Sequence, residues 1–277
     1  MSKNKVTNVK IGSDPEIFLF SESKNKFVPV CGLVGGTKDE PIPVTDDGFS
    51  LQEDNVMLEY TIAPSKTREE WVNNINFAKE YIKETVLKPL GLVPKYQAAA
   101  FFEFEDLDNE AAQTFGCSPD YNAWTLEQNE VKSDNPLKRT AGKHVHIGYD
   151  NPDLDVNIDL IKAMDLFLGV PSVLLDPDTE RRKVYGKAGA YRFKKYGVEY
   201  RVLSAYFQKN DELIGWVYDN TMAAIEFVNM GGIITNDQEI QDCINNCDKA
   251  LALEIIEDYK INMIEIKSKK AAIAVED

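Results

Sequence analysis

Residues Ile11–Phe20 read IGSDPEIFLF. As an extended segment this stretch splits cleanly into two faces, because successive side chains of a strand point to opposite sides. Asp14 and Glu16 then share one face, and Ile17 and Leu19 take the other. Pro15 lacks a backbone donor, so the strand is expected at a sheet edge or bulged at that point. The same division returns three times. In Asn55–Ile62 (NVMLEYTI), Glu59 falls with Asn55, Met57 and Thr61 against Val56, Leu58, Tyr60 and Ile62. In Lys143–Tyr149 (KHVHIGY), His144 and His146 oppose Val145, Ile147 and Tyr149. In Val198–Ala205 (VEYRVLSA), Glu199 and Arg201 oppose Val198, Tyr200 and Val202. Gln97–Phe104 reads as a further strand. Helical spacing marks Lys66–Lys88, opened by the capping pair Thr67 and Glu70 and stopped by Pro89 and Gly91, and then Leu154–Leu168, Glu212–Met230 and Gln238–Tyr259. Strands and helices do not alternate as βαβ units, so the expected class is α+β with an antiparallel sheet and flanking helices.

The chain has 277 residues, 43% of them hydrophobic, with no Pro/Gly/Ser-rich linker and no fixed-period repeat. One domain over residues 1–277 is expected. No apolar run is long enough to span a bilayer and no secretory leader opens the sequence, so the expected place is the cytoplasm, without a membrane partner. Cys31, Cys117, Cys243 and Cys247 are scattered and read as small core residues of a reduced compartment. The net charge of −15 argues against a nucleic-acid partner, whose phosphates need clustered Lys and Arg. The charge is uneven, however. Arg181, Arg182, Lys183, Lys187, Arg192, Lys194, Lys195 and Arg201 face only Glu199 as opposing charge in that stretch. Such a block is either a solvated loop or a holder of a small polyanion such as a triphosphate.

The wet face of the strands is unlike an ordinary solvent face of mixed Lys, Ser and Thr. It carries Asp14, Glu16, Glu59, Glu199, Arg201 and the two histidines of the chain, His144 and His146. Carboxylates with an imidazole are the ligand set of hard cations, Mg²⁺ or Mn²⁺. Carboxylates and arginines belong together where a metal bridges them to phosphate, because phosphoryl transfer asks a protein mainly to position the groups and neutralise their charge. Gly35-Gly36-Thr37-Lys38 is too short for a P-loop, and no GxGxxG is present, so ATP would have to bind by another architecture.

Several segments together resemble the glutamine synthetase/glutamate–cysteine ligase superfamily: Asp14-Pro15-Glu16-Ile17-Phe18, Asp54–Glu59, Gly142–Gly148 and Gly197–Arg201. The overall pattern is most similar to its phage-type carboxylate–amine ligase branch, which also shows the Gly116–Asp120 turn, the Arg139–Gly142 lead-in and the Tyr185–Arg192 segment. The resemblance runs in order from Ile11 to Ala205. It implies a glutamine-synthetase-like antiparallel sheet, a partial barrel, and an ATP- and Mg²⁺-dependent enzyme. By the same resemblance Glu16, Glu59, His144 and Glu199 are metal ligands. Asp14 lies toward the nucleotide, His146 beside the ATP phosphates, and Arg192 and Arg201 on phosphate, with Arg182 a further candidate. Glu59 and Arg201 are then the residues on which catalysis rests. Asp54 is only a loose match to the further acidic ligands of the second strand, and no substrate-recognition segment of glutamine synthetase aligns.

The implied reaction has two steps. A carboxylate attacks the γ-phosphate of ATP to give an acyl phosphate, and an amine then displaces phosphate to form an amide. Small-molecule or peptide carboxylates and amines are the implied partners, a homo-oligomer is left open, and the branch suggests a phage protein in a host cytoplasm. Three alternatives stand beside this reading: a guanidino kinase on the same scaffold, a metal-dependent hydrolase, which would not need the basic block, and a non-catalytic acidic binding or structural protein that retains the fold.

Overall fold

A computed structural model describes residues 5–108, 112, 120–130 and 135–264. Gly116-Cys117-Ser118-Pro119 and the Lys-rich tail after residue 264 lie outside the described residues. The order of elements is β1 (Lys10–Ser21), β2 (Lys26–Val28), β3 (Ile42–Pro43), β4 (Ser50–Asp54), β5 (Met57–Thr61), α1 (Arg68–Tyr81), β6 (Val93–Lys95), β7 (Ala99–Phe101), β8 (Tyr121–Asn122), β9 (Lys138–Thr140), β10 (Lys143–Gly148), α2 (Leu154–Met164), α3 (Val170–Leu175), α4 (Glu180–Val184), β11 (Ala190–Lys194), β12 (Gly197–Tyr200), α5 (Asp211–Asn229), α6 (Asp237–Asn246) and α7 (Lys249–Tyr259).

The main sheet runs β3-β4-β5-β1-β10-β12-β11-β8, with β2 and β6 added along the far end of β1. Every one of these pairings is antiparallel, and the helices flank the sheet, as the α+β reading requires. The period-two pattern decides which side they take. Ile17 and Leu19, Leu58 and Tyr60, Val145 and Ile147, and Val198 and Tyr200 all enter one buried core. There they meet Trp71 and Ile75 of α1, Leu160 and Ile161 of α2, and Ile214 and Val217 of α5. Trp71 is fully buried and its indole N–H donates to the Ile214 carbonyl at 2.8 Å, so the polar end of a large apolar side chain is satisfied. The opposite face keeps the charged residues. A second apolar cluster, with Phe18, Val56, Met57 and Phe102 among its members, closes one end of it.

Four expectations need correction. Pro15 is in an internal strand, not an edge. It pairs with Lys143 on one side, and on the other the β1–β5 ladder comprises Glu16↔Glu59 and Ile17↔Leu58 and leaves Pro15 out. The Gln97–Phe104 segment supplies only β7, which pairs with β9 in a separate two-stranded sheet. The first helix is α-helical to Tyr81 and then passes into a π-helical stretch, Ile82–Leu87. The segment 238–259 is two helices, because Cys247 adopts a left-handed conformation and the Asp248 carboxylate caps the start of α7.

The basic block also divides. In α4, Arg181 and Arg182 are buried whereas Lys183 stays exposed. The Arg181 guanidinium donates to the carbonyls of Val202 at 3.0 Å and Arg201 at 3.2 Å, so it is spent on backbone. Gly186 makes room for it. At φ +70°, a Cβ there would collide with Arg181 and stand 2.7 Å from the Val202 oxygen. Gly186→Ala is therefore expected to cost about 1–3 kcal/mol of stability, and an unchanged denaturation midpoint would show that this packing is not needed.

Candidate active site

The register carries the charged residues into two adjoining groups. β10 aligns His146 with Gly12 of β1 and with Glu199 of β12, and β11 aligns Arg192 with Glu199. One row across four strands thus reads Gly12, His146, Glu199, Arg192. Next to it Asp14 pairs with His144. Further along β1, Glu16 pairs with Glu59 and Glu59 with Gln52. The hairpin joining β4 to β5 turns at Asn55, held at φ 58°, and brings Asp54 to the same place.

Possible ligand atoms of Asp14, His146 and Glu199 all lie within 4.8 Å of one another, and those of Glu16, Asp54 and Glu59 do likewise. The cleft between them is lined by Asp14, Glu16, Lys38, Asp54, Glu59, His144, Arg192, Lys194 and Arg201. Of the residues expected from sequence, Asp14, Glu16, Glu59, His144, Arg192 and Arg201 line this cleft, while His146 and Glu199 belong to its first ligand group. Arg182 is not brought to it. Its guanidinium is buried on Ser172 and Cys247 in the helical layer. Three residues not singled out as ligands or phosphate contacts join the cleft: Asp54, Lys194 and Lys38.

The histidines differ in setting. His144 is buried, its Nδ1 lies 3.0 Å from Asp14 Oδ1 and 3.2 Å from Arg201 Nη1, and burial together with the Arg201 charge pushes its pKa down to about 4. A Cβ on Gly142 would stand 2.8 Å from His144 Nε2, which is why the residue two before that histidine has no side chain. His146 Nε2 lies 3.1 Å from Asp14 Oδ1, and Tyr196 stands 2.6 Å from its Nδ1. Burial works against its charge, but Asp14 and Glu199 together outweigh it and raise the pKa.

The carboxylates also differ. Burial, reinforced by the Asp54 charge, pushes Glu16 up to about 7, although the Gly142 N–H donates to it at 2.5 Å. Burial and the charges of Asp14 and Asp54 push Glu59 well above the usual range. Glu199 is fully buried, yet Arg201, His144 and His146 hold it down to about 2. Asp14 is half-buried, and although burial works to raise its pKa, His146 and His144 hold it well below its usual value. The Glu199 carboxylate meets Lys194 at 2.6 Å, Arg192 at 3.8 Å and Arg201, and Arg201 in turn reaches Asp120 at 3.4 Å. One group is therefore short of positive charge and the other is held ionised. Carboxyls pushed up by one another are what a cation would relieve.

Comparison with known proteins agrees with the resemblance read from sequence. Residues 134–271 match the family described as phage phiEco32-like COOH.NH2 ligase-type 2. That span includes His144, His146, Arg192, Glu199 and Arg201, and leaves out Asp14, Glu16 and Glu59. No curated protein matches the chain in sequence. Among solved structures, a novel glutamine synthase homolog is 12% identical with a TM-score of 0.38, over 90% of this chain and 63% of that one. A bifunctional glutathione synthetase from Pasteurella multocida is 8% identical with a TM-score of 0.39, over 91% of this chain and 49% of that one. The chain thus spans less than two thirds of either.

Proposed function

We propose, on the premise that residues 134–271 belong to the phage phiEco32-like COOH.NH2 ligase-type 2 family, that this chain is an ATP-dependent carboxylate–amine ligase working through an acyl phosphate. The observation that carries the reading is the sheet face itself, where two compact ligand groups lie beside Arg192, Lys194 and Arg201. We take residues 1–277 as one catalytic unit.

The donor chemistry fits hard divalent cations. Carboxylate oxygens dominate both groups, and the ligand atoms are close enough to share one ion in each. Glu16, Asp54 and Glu59 would hold one Mg²⁺ or Mn²⁺, and Asp14, His146 and Glu199 a second. Such ions supply charge neutralisation on the phosphates and polarise the transferred group. In this assignment His146 is a ligand, and His144 is the residue that orients Asp14 through its Nδ1 contact. Arg192 and Lys194 project from β11 beside Glu199, where they can follow the phosphates without a flexible loop to order. Arg201, fixed by Glu199 and Asp120, presents its charge to the carboxylate that is activated. A largely apolar pocket beside His146, lined by Gly12, Gly148, Ile62, Pro64 and Tyr196 among others, takes the flat base. Glycine in a strand leaves room for such close approach.

Activation is needed because a carboxylate at neutral pH is a poor electrophile. In the first step the substrate oxygen bonds to the γ-phosphorus and the bond to the ADP oxygen breaks. In the second the amine attacks the acyl carbon and inorganic phosphate leaves. The test is ADP release from ATP and Mg²⁺ with pools of carboxylates, using hydroxylamine as the amine. Hydroxamate formation is the expected result. ADP release without hydroxamate in the presence of guanidino compounds would identify a kinase instead, and no ADP release with any pool would remove the enzyme reading.

Arg192 is partly exposed and can be removed with less disturbance than buried Arg201. Arg192→Ala is expected to weaken Mg²⁺–ATP binding about 10-fold or more, the usual worth of a charge-assisted contact to phosphate. Calorimetry checks it, and unchanged affinity would place the phosphates elsewhere.

A further inference from the structure

Lys38 reaches the cleft from the Gly35-Gly36-Thr37-Lys38 loop, which is too short to be a P-loop. It lines the same space as Asp14, Glu16, Asp54 and Glu59, and its loop packs on β4, toward the end of the strand order away from β11, which carries Arg192 and Lys194. The loop that carries it is built to a defined shape. The Glu53 carboxylate accepts the backbone N–H groups of Gly32 at 2.8 Å, Val34 at 2.8 Å and Gly35 at 2.7 Å, so an internal anion occupies the place that a P-loop would offer to phosphate. Gly36 has φ +77°, and a Cβ there would stand 2.8 Å from the Leu51 carbonyl, so the loop lies directly against β4. Thr37 and Glu40 close the turn around Lys38, with Thr37 N–H donating to the Glu40 carbonyl at 3.0 Å and Glu40 N–H to Thr37 Oγ1 at 3.1 Å.

We propose that Lys38 is a catalytic residue that contacts the γ-phosphoryl group of the nucleotide, and later the acyl phosphate, from the side opposite β11. This rests on the ligase reading above and adds a residue to it. The charge distribution gives the reason. With no cation among Glu16, Asp54 and Glu59, a lysine at this cleft has carboxylates to face. Glu16, Asp54 and Glu59 would be neutralised in holding a divalent ion, and the Lys38 ammonium would then favour phosphate over those carboxylates. The β11 cations lie beside Glu199, so without Lys38 the phosphoryl group would meet side-chain positive charge from one side. A transferring phosphoryl group spreads negative charge over its equatorial oxygens, and a cation on the second side stabilises it. The turn that carries Lys38 is closed by its own hydrogen bonds, and the residue itself is exposed at the mouth of the cleft.

The alternative is that Lys38 only balances the cleft acids. The two roles separate by nucleotide. Calorimetry is run with Mg²⁺ and either ADP or the non-hydrolysable analogue AMP-PNP, on the unaltered chain, Lys38→Met and Lys38→Arg, with thermal melts to check folding. Lys38→Met is expected to lose about 10- to 100-fold in affinity for AMP-PNP and to keep its affinity for ADP, with Lys38→Arg recovering most of the loss. Equal losses for both nucleotides, or none for either, overturn the proposal while leaving the ligase reading standing. If the unaltered chain binds neither nucleotide, both fall together.

Discussion

Glu59→Gln is expected to lower Mg²⁺-dependent ADP release by at least about 100-fold, beyond the 10- to 100-fold typical of residues that merely support a metal ligand. The same substitution is expected to raise the melting temperature of the metal-free protein. The amide keeps the volume of the side chain and removes the charge that a cation needs. Its effect on stability follows from the raised pKa. Burial and the charges of Asp14 and Asp54 hold the native Glu59 carboxyl well above its ordinary value. The native state therefore binds more protons than the unfolded chain once pH exceeds the ordinary glutamate range, and stability falls as pH rises through that window. Glutamine does not titrate, so the gain from Glu59→Gln grows over the same window and levels off above the native pKa. Each kcal/mol gained should appear as about 2–4 °C in Tm. Paired melts in EDTA at several pH values, with an ADP-release assay, measure both effects. Near-normal turnover would remove Glu59 from the ligand set.

The second large effect lies on the opposite face of the sheet. Lys143 stands between Pro15 and Leu203 in the backbone pairing, and its side chain is fully buried in the helical layer. The amine lies 4.8 Å from the Trp71 ring centroid and has no hydrogen-bond partner among the described residues. Burial holds its pKa well below the ordinary value, with a further push from Lys79. The native state then binds fewer protons than the unfolded chain, so stability should rise with pH up to the ordinary lysine pKa, about 10.4. Lys143→Met keeps the length and removes the unpaired group. It is expected to stabilise the protein by about 1–3 kcal/mol at neutral pH and to flatten the rise between pH 7 and 9. Urea unfolding at both pH values tests this. A destabilised variant, or one with the slope unchanged, would mean that the amine finds a partner in solution.

Much of the site was legible because a strand's period of two is a local property. Asp14, Glu16, Glu59, His144, His146 and Glu199 could be put on the wet faces of their strands with no knowledge of how the strands join. The grouping could not, since register and strand order depend on contacts distant in sequence. His146 stands directly opposite Glu199 because β10 and β12 pair at that register, and His144 reaches the same carboxylate from the next position along its strand face, its Nδ1 3.6 Å from Glu199 Oε1. Asp54 sits at the end of β4 beside a left-handed Asn55, where alternation is interrupted by the turn. Lys38 lies on a loop, where no periodicity operates. The charge run from Arg181 to Arg201 misled for a related reason. Counting charges along a chain does not show which way a short helix faces, and α4 turns Arg181 and Arg182 inward.

The ligase reading requires two divalent cations on this sheet face for phosphoryl transfer. Anomalous diffraction from crystals grown with Mn²⁺ and AMP-PNP tests it most directly. The expected result is one peak among Asp14, His146 and Glu199 and a second among Glu16, Asp54 and Glu59, each about 2.0–2.6 Å from its ligand atoms, with triphosphate between them. Ordered nucleotide with manganese at neither group would rule out these carboxylates as a two-cation site.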